Sequence, residues 1–199
     1  MNIVYRSVPY PEDCVKVERL VRSTGFFSDE EIETARGLVS ERLRLGVESG
    51  YHFIFADTAD IVSADIVSAD RTSTDGTTAF TTVGYTCFGR IPATVSSFDL
   101  YWLAVLEGFR HEGLGTNLLK KTEEAVVRMG GCRLYAETSS RPLYEPTRAF
   151  YTHKGFREDA VLKDFYADGD AKVIFVKPLG CGIRHDRKQQ RKAGHGTPV

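Results

Sequence analysis

The chain has 199 residues with 42% hydrophobic and 27% charged residues, a make-up that suffices for one well-buried domain. Its formal net charge of -1 removes the electrostatic case for a nucleic acid or an anionic membrane as partner, and neither is expected. The start, MNIVYRSVPY, has no apolar signal core, and no run of about 18 apolar residues follows, so the protein is expected to be cytoplasmic.

Ile3 to Val8 reads as a first strand, stopped by Pro9 and Pro11. Glu12 to Ser23 places Cys14, Val17, Leu20 and Val21 on one helical face and ends at Thr24-Gly25. Phe26 and Phe27 follow, and then Ser28 with Glu31 forms a capping box that opens a helix with Ile32, Ala35, Val39 and Leu43 on its apolar side. Tyr51 to Ala56 and Thr81 to Phe88 are strand-like. Between them Ala59-Asp60-Ile61-Val62-Ser63 is repeated as Ala64-Asp65-Ile66-Val67-Ser68, so 59–78 reads as an insertion that lengthens a surface loop.

The central stretch runs from Asp99 to Gly130. A strand over Leu100 to Leu106 leads into a turn with Arg110, Gly113 and Gly115, and a helix from Thr116 stops at Gly130-Gly131. A helix start offers unbonded N–H groups and a positive dipole end, which favour an anion such as a phosphate. Glycine lets a bulky diphosphate approach that backbone, and Arg110 adds a cation. A P-loop would need a lysine after the last glycine, where Thr116 and Asn117 stand. A dinucleotide-binding turn would need a third glycine at Leu118. Further on, Cys132 to Thr138 reads as a strand parallel to Leu100 to Leu106, Ser139 to Tyr144 as a loop, and Pro146 to Lys154 as a short helix ended by Gly155. Phe156 to Asp159 and Lys172 to Val176 read as strands separated by Asp164 to Asp170, and 179–199 as a basic disordered tail. The four cysteines, Cys14, Cys87, Cys132 and Cys181, lack C-x-x-C spacing and read as reduced thiols.

Arg110-His111-Glu112-Gly113-Leu114-Gly115, an R-x-x-G-x-G turn between strand and helix, resembles the acyl-CoA pyrophosphate loop of the GNAT (GCN5-related) N-acetyltransferases. Ala149-Phe150-Tyr151-Thr152-His153-Lys154-Gly155-Phe156 resembles the helix end found downstream in that family. The resemblance implies an α/β GNAT fold over residues 1–178, with a mixed sheet of about six to seven strands, about four helices, and splayed parallel fourth and fifth strands. It implies acetyl-CoA as cosubstrate and no metal, a monomer or homodimer, and a diphosphate held by Arg110, His111, Glu112, Gly113, Leu114, Gly115 and Thr116. Backbone at Leu103, Ala104 and Val105 is expected to meet the acyl oxygen.

Acetyl transfer to an amine needs a base, because an alkylamine with a pKa near about 10 is mostly protonated at neutral pH. Asp99, at the start of the central strand, stands where several family members place a glutamate base; Glu137 on the neighbouring strand is the rival, and a bridging water stays open. Tyr151 matches the family's general acid for the departing thiolate. Phe26, Phe27, Tyr101 and Tyr144 are the candidate acceptor wall, and Arg141 or Arg148 a candidate for an anionic group of either substrate. Three functions remain open: an acetyltransferase for a small amine or amino-acid-like acceptor, one for a protein α-amine or lysine, and a non-catalytic acyl-CoA-binding module.

Overall fold

The computed structural model describes residues 2–59 and 80–180. The repeat placed at 59–78 and the tail placed at 179–199 lie outside the described residues except for Ala59, Leu179 and Gly180. The elements are β1 (Ile3–Arg6), α1 (Asp13–Ser23), α2 (Asp29–Leu45), β2 (Tyr51–Thr58), β3 (Thr81–Arg90), β4 (Ser97–Val105), α3 (Leu114–Arg128), β5 (Arg133–Ser139), α4 (Glu145–His153), β6 (Arg157–Ala167) and β7 (Asp170–Pro178).

The strands form one sheet in the order β1-β2-β3-β4-β5-β7-β6. Every neighbouring pair is antiparallel except β4 with β5, which run parallel on either side of the α3 crossover. Helices cover both faces because each carries one apolar stripe. On one face Val17, Leu20 and Val21 of α1 and Ile32, Ala35 and Val39 of α2 pack on Phe53, Phe55, Tyr85 and Cys87. On the other, Leu118, Leu119 and Val126 of α3 and Tyr151 of α4 pack on Phe98, Leu100, Leu134 and Phe175. The α2 start is closed by the expected box: Glu31 N–H donates to Ser28 Oγ at 3.2 Å, and Ser28 N–H donates to Glu31 Oε2 at 2.8 Å.

One buried charge network ties the N-terminal elements together. Arg6 Nε donates to Asp57 Oδ2 at 2.6 Å, and its two terminal nitrogens donate to Asp13 at 2.6 and 2.7 Å. Thr82 Oγ1 donates to Asp57 Oδ1 at 2.7 Å, and the guanidinium lies 4.1 Å from the Phe55 ring centroid. Asp13 is fully buried and Asp57 nearly so, which leaves Arg6 as the cation that neutralises two carboxylates in the interior.

Three expectations are corrected. The stretch from Asp164 to Asp170, read as a connection, is mostly strand: β6 continues to Ala167 and turns through Gly169 (φ 78°) directly into β7. A bulge between Leu162 and Ala167, with Asp164 at φ 52°, hid that strand from a period-two reading. Helix α3 begins at Leu114, two residues before Thr116, because Gly113 takes the left-handed N-cap conformation. Finally, Cys14 and Cys87 are free, whereas Cys132 is disulfide-bonded. Leu179 is buried in the core and its N–H donates to Cys132 O at 2.8 Å, so the packed unit reaches one residue past Pro178.

Candidate active site

The site begins with a gap in the sheet. β4 and β5 pair from Ser97↔Arg133 to Leu100↔Ala136 and no further, although β4 runs on to Val105 and β5 to Ser139. The cause lies in β4: against β3, Leu100 pairs with Phe88 and Trp102 with Cys87, so Tyr101 is an extra residue. Such a bulge bends its strand and sharpens the twist, carrying the second half of β4 away from β5. Leu103, Ala104 and Val105 therefore lie in the diverging segment, paired with β3 on one side and free of β5 on the other.

At the end of β4 the chain turns into α3. His111 (φ 66°) and Gly113 (φ 80°) hold left-handed conformations that aim the turn. The N-cap is a glycine, no side chain caps the helix, and no acidic residue stands in its first turn. The first bond of the α3 ladder runs from Asn117 N–H to Gly113 O at 3.0 Å, so the N–H groups of Leu114, Gly115 and Thr116 precede it. A Cβ at Gly115 would stand 3.7 to 3.9 Å from side-chain atoms of Val105, Leu103 and Phe150, so this glycine sits against the side chains of β4 and α4. Arg110 Nε donates weakly to Val105 O at 3.4 Å, and its guanidinium lies 5.3 Å from the Phe26 ring centroid. His111, Glu112 and Gly113 are exposed. The arrangement is an uncapped helix start beside a fixed cation, which suits a diphosphate.

Tyr151 lies on this same α3–α4 face, its ring among Phe150, Phe156 and Phe175 at 5.2 to 5.7 Å. Burial raises its phenol well above the ordinary tyrosine range, which keeps it protonated. Thr138, two residues past the last β4–β5 pair, is 6% exposed, and among the described residues its hydroxyl has no hydrogen-bond partner. An orphaned hydroxyl beside the gap is what an amide-bearing chain threaded between the strands would satisfy.

Asp99 and Glu137 lie on the opposite face, one residue before and one after the closing pair Leu100↔Ala136. Burial first, and then the Glu137 charge, push the Asp99 carboxyl up to about 6, against an opposing pull from Lys172. Glu137 does not stand free: Lys172 Nζ is 2.6 Å from its Oε2. Tyr101 makes an edge contact with Tyr51 at 5.6 Å, and burial with the nearby Asp99 charge pushes its phenol up to about 12.

The expected acceptor wall divides in two. Phe26 is tethered, since Tyr144 Oη donates to its carbonyl at 2.8 Å and the rings lie 5.9 Å apart, while Phe27 packs at 6.1 Å on Trp102. Tyr101 meets Tyr51 and packs against the same core cluster as Phe27 and Trp102. Both candidate arginines have partners within the chain: Arg141 pairs with Asp170 at 3.1 Å, and Arg148 donates to the carbonyls of Ser139 and Arg141 at 2.7 and 3.0 Å. Sequence reasoning missed Lys172, Thr138, Trp102 and Tyr166. Tyr166 lies near Lys172, and burial and then the Glu137 and Asp170 charges push its phenol up to about 12. Among the described residues no helix is long and apolar enough to cross a membrane, and no group of His, Cys, Asp or Glu is placed to hold a metal ion.

The chain matches the family model described as an acetyltransferase (GNAT) domain over residues 74–158. A crystal structure of a GNAT-family protein from Desulfovibrio desulfuricans superposes with a TM-score of 0.77 at 40% identity, covering 89% of this chain and 99% of that one. Curated relatives named N-alpha-acetyltransferase match over shorter stretches. The Sulfolobus acidocaldarius protein is 34% identical over 90 residues, and that of Sulfurisphaera tokodaii is 32% identical over 91. Those stretches are 45% of this chain in each case, so the chain spans about half the length of the curated relatives it matches, 52% and 53%. Agreement along nearly the whole of the Desulfovibrio protein, joined to a sheet that parts between β4 and β5 above a glycine-capped helix, places this chain in the GNAT acetyltransferase family.

Proposed function

We propose that the protein moves the acetyl group of acetyl-CoA to a primary amine by direct attack within a ternary complex. The observation that carries this reading is the gap past Leu100↔Ala136, which connects the two faces of the sheet where their chemistry differs. On the α3–α4 face lie the uncapped amides of Leu114, Gly115 and Thr116, the orphaned Thr138 hydroxyl and the neutral Tyr151 phenol. On the α1–α2 face lies Asp99, whose carboxyl at about 6 is ionised at neutral pH yet basic enough to take a proton. Acetyl-CoA, when bound, supplies a thioester carbonyl in the gap. Asp99 takes a proton from the acceptor ammonium, directly or through water, and the freed amine forms the C–N bond as the C–S bond breaks. The nitrogen's second proton passes to water, from which the Tyr151 phenol is restored after it has given up its own. Backbone N–H groups of Leu103 to Val105 receive the carbonyl oxygen, and Tyr151 gives its proton to the departing thiolate.

We favour a small amine or amino-acid-like acceptor, with Tyr101, Tyr144, Phe26 and Phe27 as its surroundings. A second reading, the α-amine of a protein, draws support from the names of the two archaeal relatives. The test is acetyl-CoA-dependent release of free thiol against a panel of amines, amino acids and peptides. Turnover with small amines alone supports the first reading, turnover with peptides alone the second, and binding of acetyl-CoA without turnover on any acceptor would leave a binding module.

A further inference from the structure

Lys172 has no part in the chemistry above, yet it sits in the middle of it. It stands in β7, paired with Ser139 of β5 and Leu162 of β6, with a side chain only 16% exposed. Its ammonium is boxed: Glu137 Oε2 is 2.6 Å away on one side, and the ring centroids of Phe165 and Tyr166 are 4.0 and 5.8 Å away on the other. Those rings are brought there by the β6 bulge around Asp164, which lifts them out of the regular ladder. A cation in that box is drawn to a carboxylate and to two aromatic faces at once. Two carboxylates, Asp99 and Glu137, share this one cation, and the contact falls to Glu137.

We propose that Lys172 is a positioning residue for the base: boxed between the Glu137 carboxylate and the rings of the β6–β7 hairpin, it holds Glu137 as its counter-ion and leaves Asp99 as the carboxyl that takes the acceptor's proton. The destination of that proton rests on the acetyltransferase reading; the charge arrangement does not. On this face the titratable groups nearest Asp99 are Tyr101 of β4, Tyr135 and Glu137 of β5 and Lys172 of β7, with Tyr51 of β2, Cys87 of β3 and Tyr166 of β6 beyond them. Glu31 and Glu41 of α2 and Asp170 of β7 act on Tyr166 and Tyr51 rather than on Asp99. Phenols and thiols are neutral near pH 6, so Glu137 and Lys172 are the charges that act on Asp99.

The test follows the Asp99 carboxyl directly, by carbon-detected NMR of the full chain labelled in its aspartates, with Asp99→Asn assigning the signal. Alongside it, kcat/KM is measured against pH for the best acceptor. Lys172→Met removes the cation and exposes Asp99 to an uncompensated Glu137, so the Asp99 midpoint rises by about one pH unit and the acidic limb of kcat/KM moves with it. Glu137→Gln removes the repulsion and frees Lys172 for Asp99, so the midpoint falls. Lys172→Arg restores the wild-type value. A midpoint unmoved by Lys172→Met and Glu137→Gln overturns the proposal, as does an equal shift from Lys172→Met and Lys172→Arg, which would mark a packing role. Should Lys172→Met fail to fold, Glu137→Gln decides, because that side chain is 44% exposed. A wild-type protein that acetylates no primary amine overturns the acetyltransferase reading in the rate measurement alone, while the titration still tests the charge arrangement.

Discussion

Replacing Asp99 by Asn removes the base while keeping its shape, and the size of the effect follows from two acidities. The Asp99 carboxyl stands at about 6, while an alkylammonium acceptor stands at about 10. With the base present, the enzyme uses the abundant ammonium form, so kcat/KM for total amine rises tenfold per pH unit below about 6 and is level from there towards 10. Without it, only free amine reacts, which at pH 7 is about one molecule in a thousand. The Asn variant is therefore expected to lose about a thousandfold at pH 7, inside the range of general-base effects. That loss shrinks tenfold for each pH unit gained, and the two profiles meet near pH 10. For an α-amine with a pKa of about 8 the loss at pH 7 is only about tenfold, so the same experiment separates the two acceptor classes. The assay is initial-rate thiol release between pH 5 and 10 at subsaturating amine. A wild-type profile without a bend near 6, or an Asn variant that keeps the level plateau, would refute Asp99 as the base.

Three further outcomes are expected. Tyr151→Phe keeps acetyl-CoA affinity, measured by calorimetry, and lowers kcat by about a hundredfold; an unchanged kcat across pH removes the phenol from the proton-donor role. Arg6→Met leaves Asp13 and Asp57 buried without their cation and costs about 3–5 kcal/mol in urea unfolding, whereas a loss below about 1 kcal/mol would show the network to be solvated. Gly113→Ala strains a residue at φ 80° by about 1–2 kcal/mol and weakens acetyl-CoA binding, because the first α3 amides shift with the turn; undiminished binding would separate the turn's shape from its function.

Local chemistry made most of the architecture readable in advance. Ser28 and Glu31 cap as their spacing demands, Gly113 turns the chain, and the stripe of Leu118, Leu119, Thr122 and Val126 lies on the sheet. Failures came where a rule of period two or a nearest neighbour was broken by something distant. β6 hid behind its bulge, and Lys172 reads as one polar residue in an apolar strand until β5 and β6 close around it. Arg141 and Arg148 looked free for substrate because carbonyls and Asp170 reach them only through the folded loop. Asp99 was legible by motif position, but its acidity depends on Glu137, Lys172 and burial, none of which is local in sequence.

The supernumerary Tyr101 in β4 lets both halves of the strand keep apolar side chains under α3. Ahead of it Phe98 and Leu100 face α3; behind it the parity reverses, so that Leu103 and Val105 face α3 while Trp102 and Ala104 face α1 and α2. Excising that single residue would restore strict alternation with every remaining side chain on its present face, Asp99 included, and would remove the bend that carries β4 away from β5; the parting of the two strands, not the aim of the base, hangs on the extra residue.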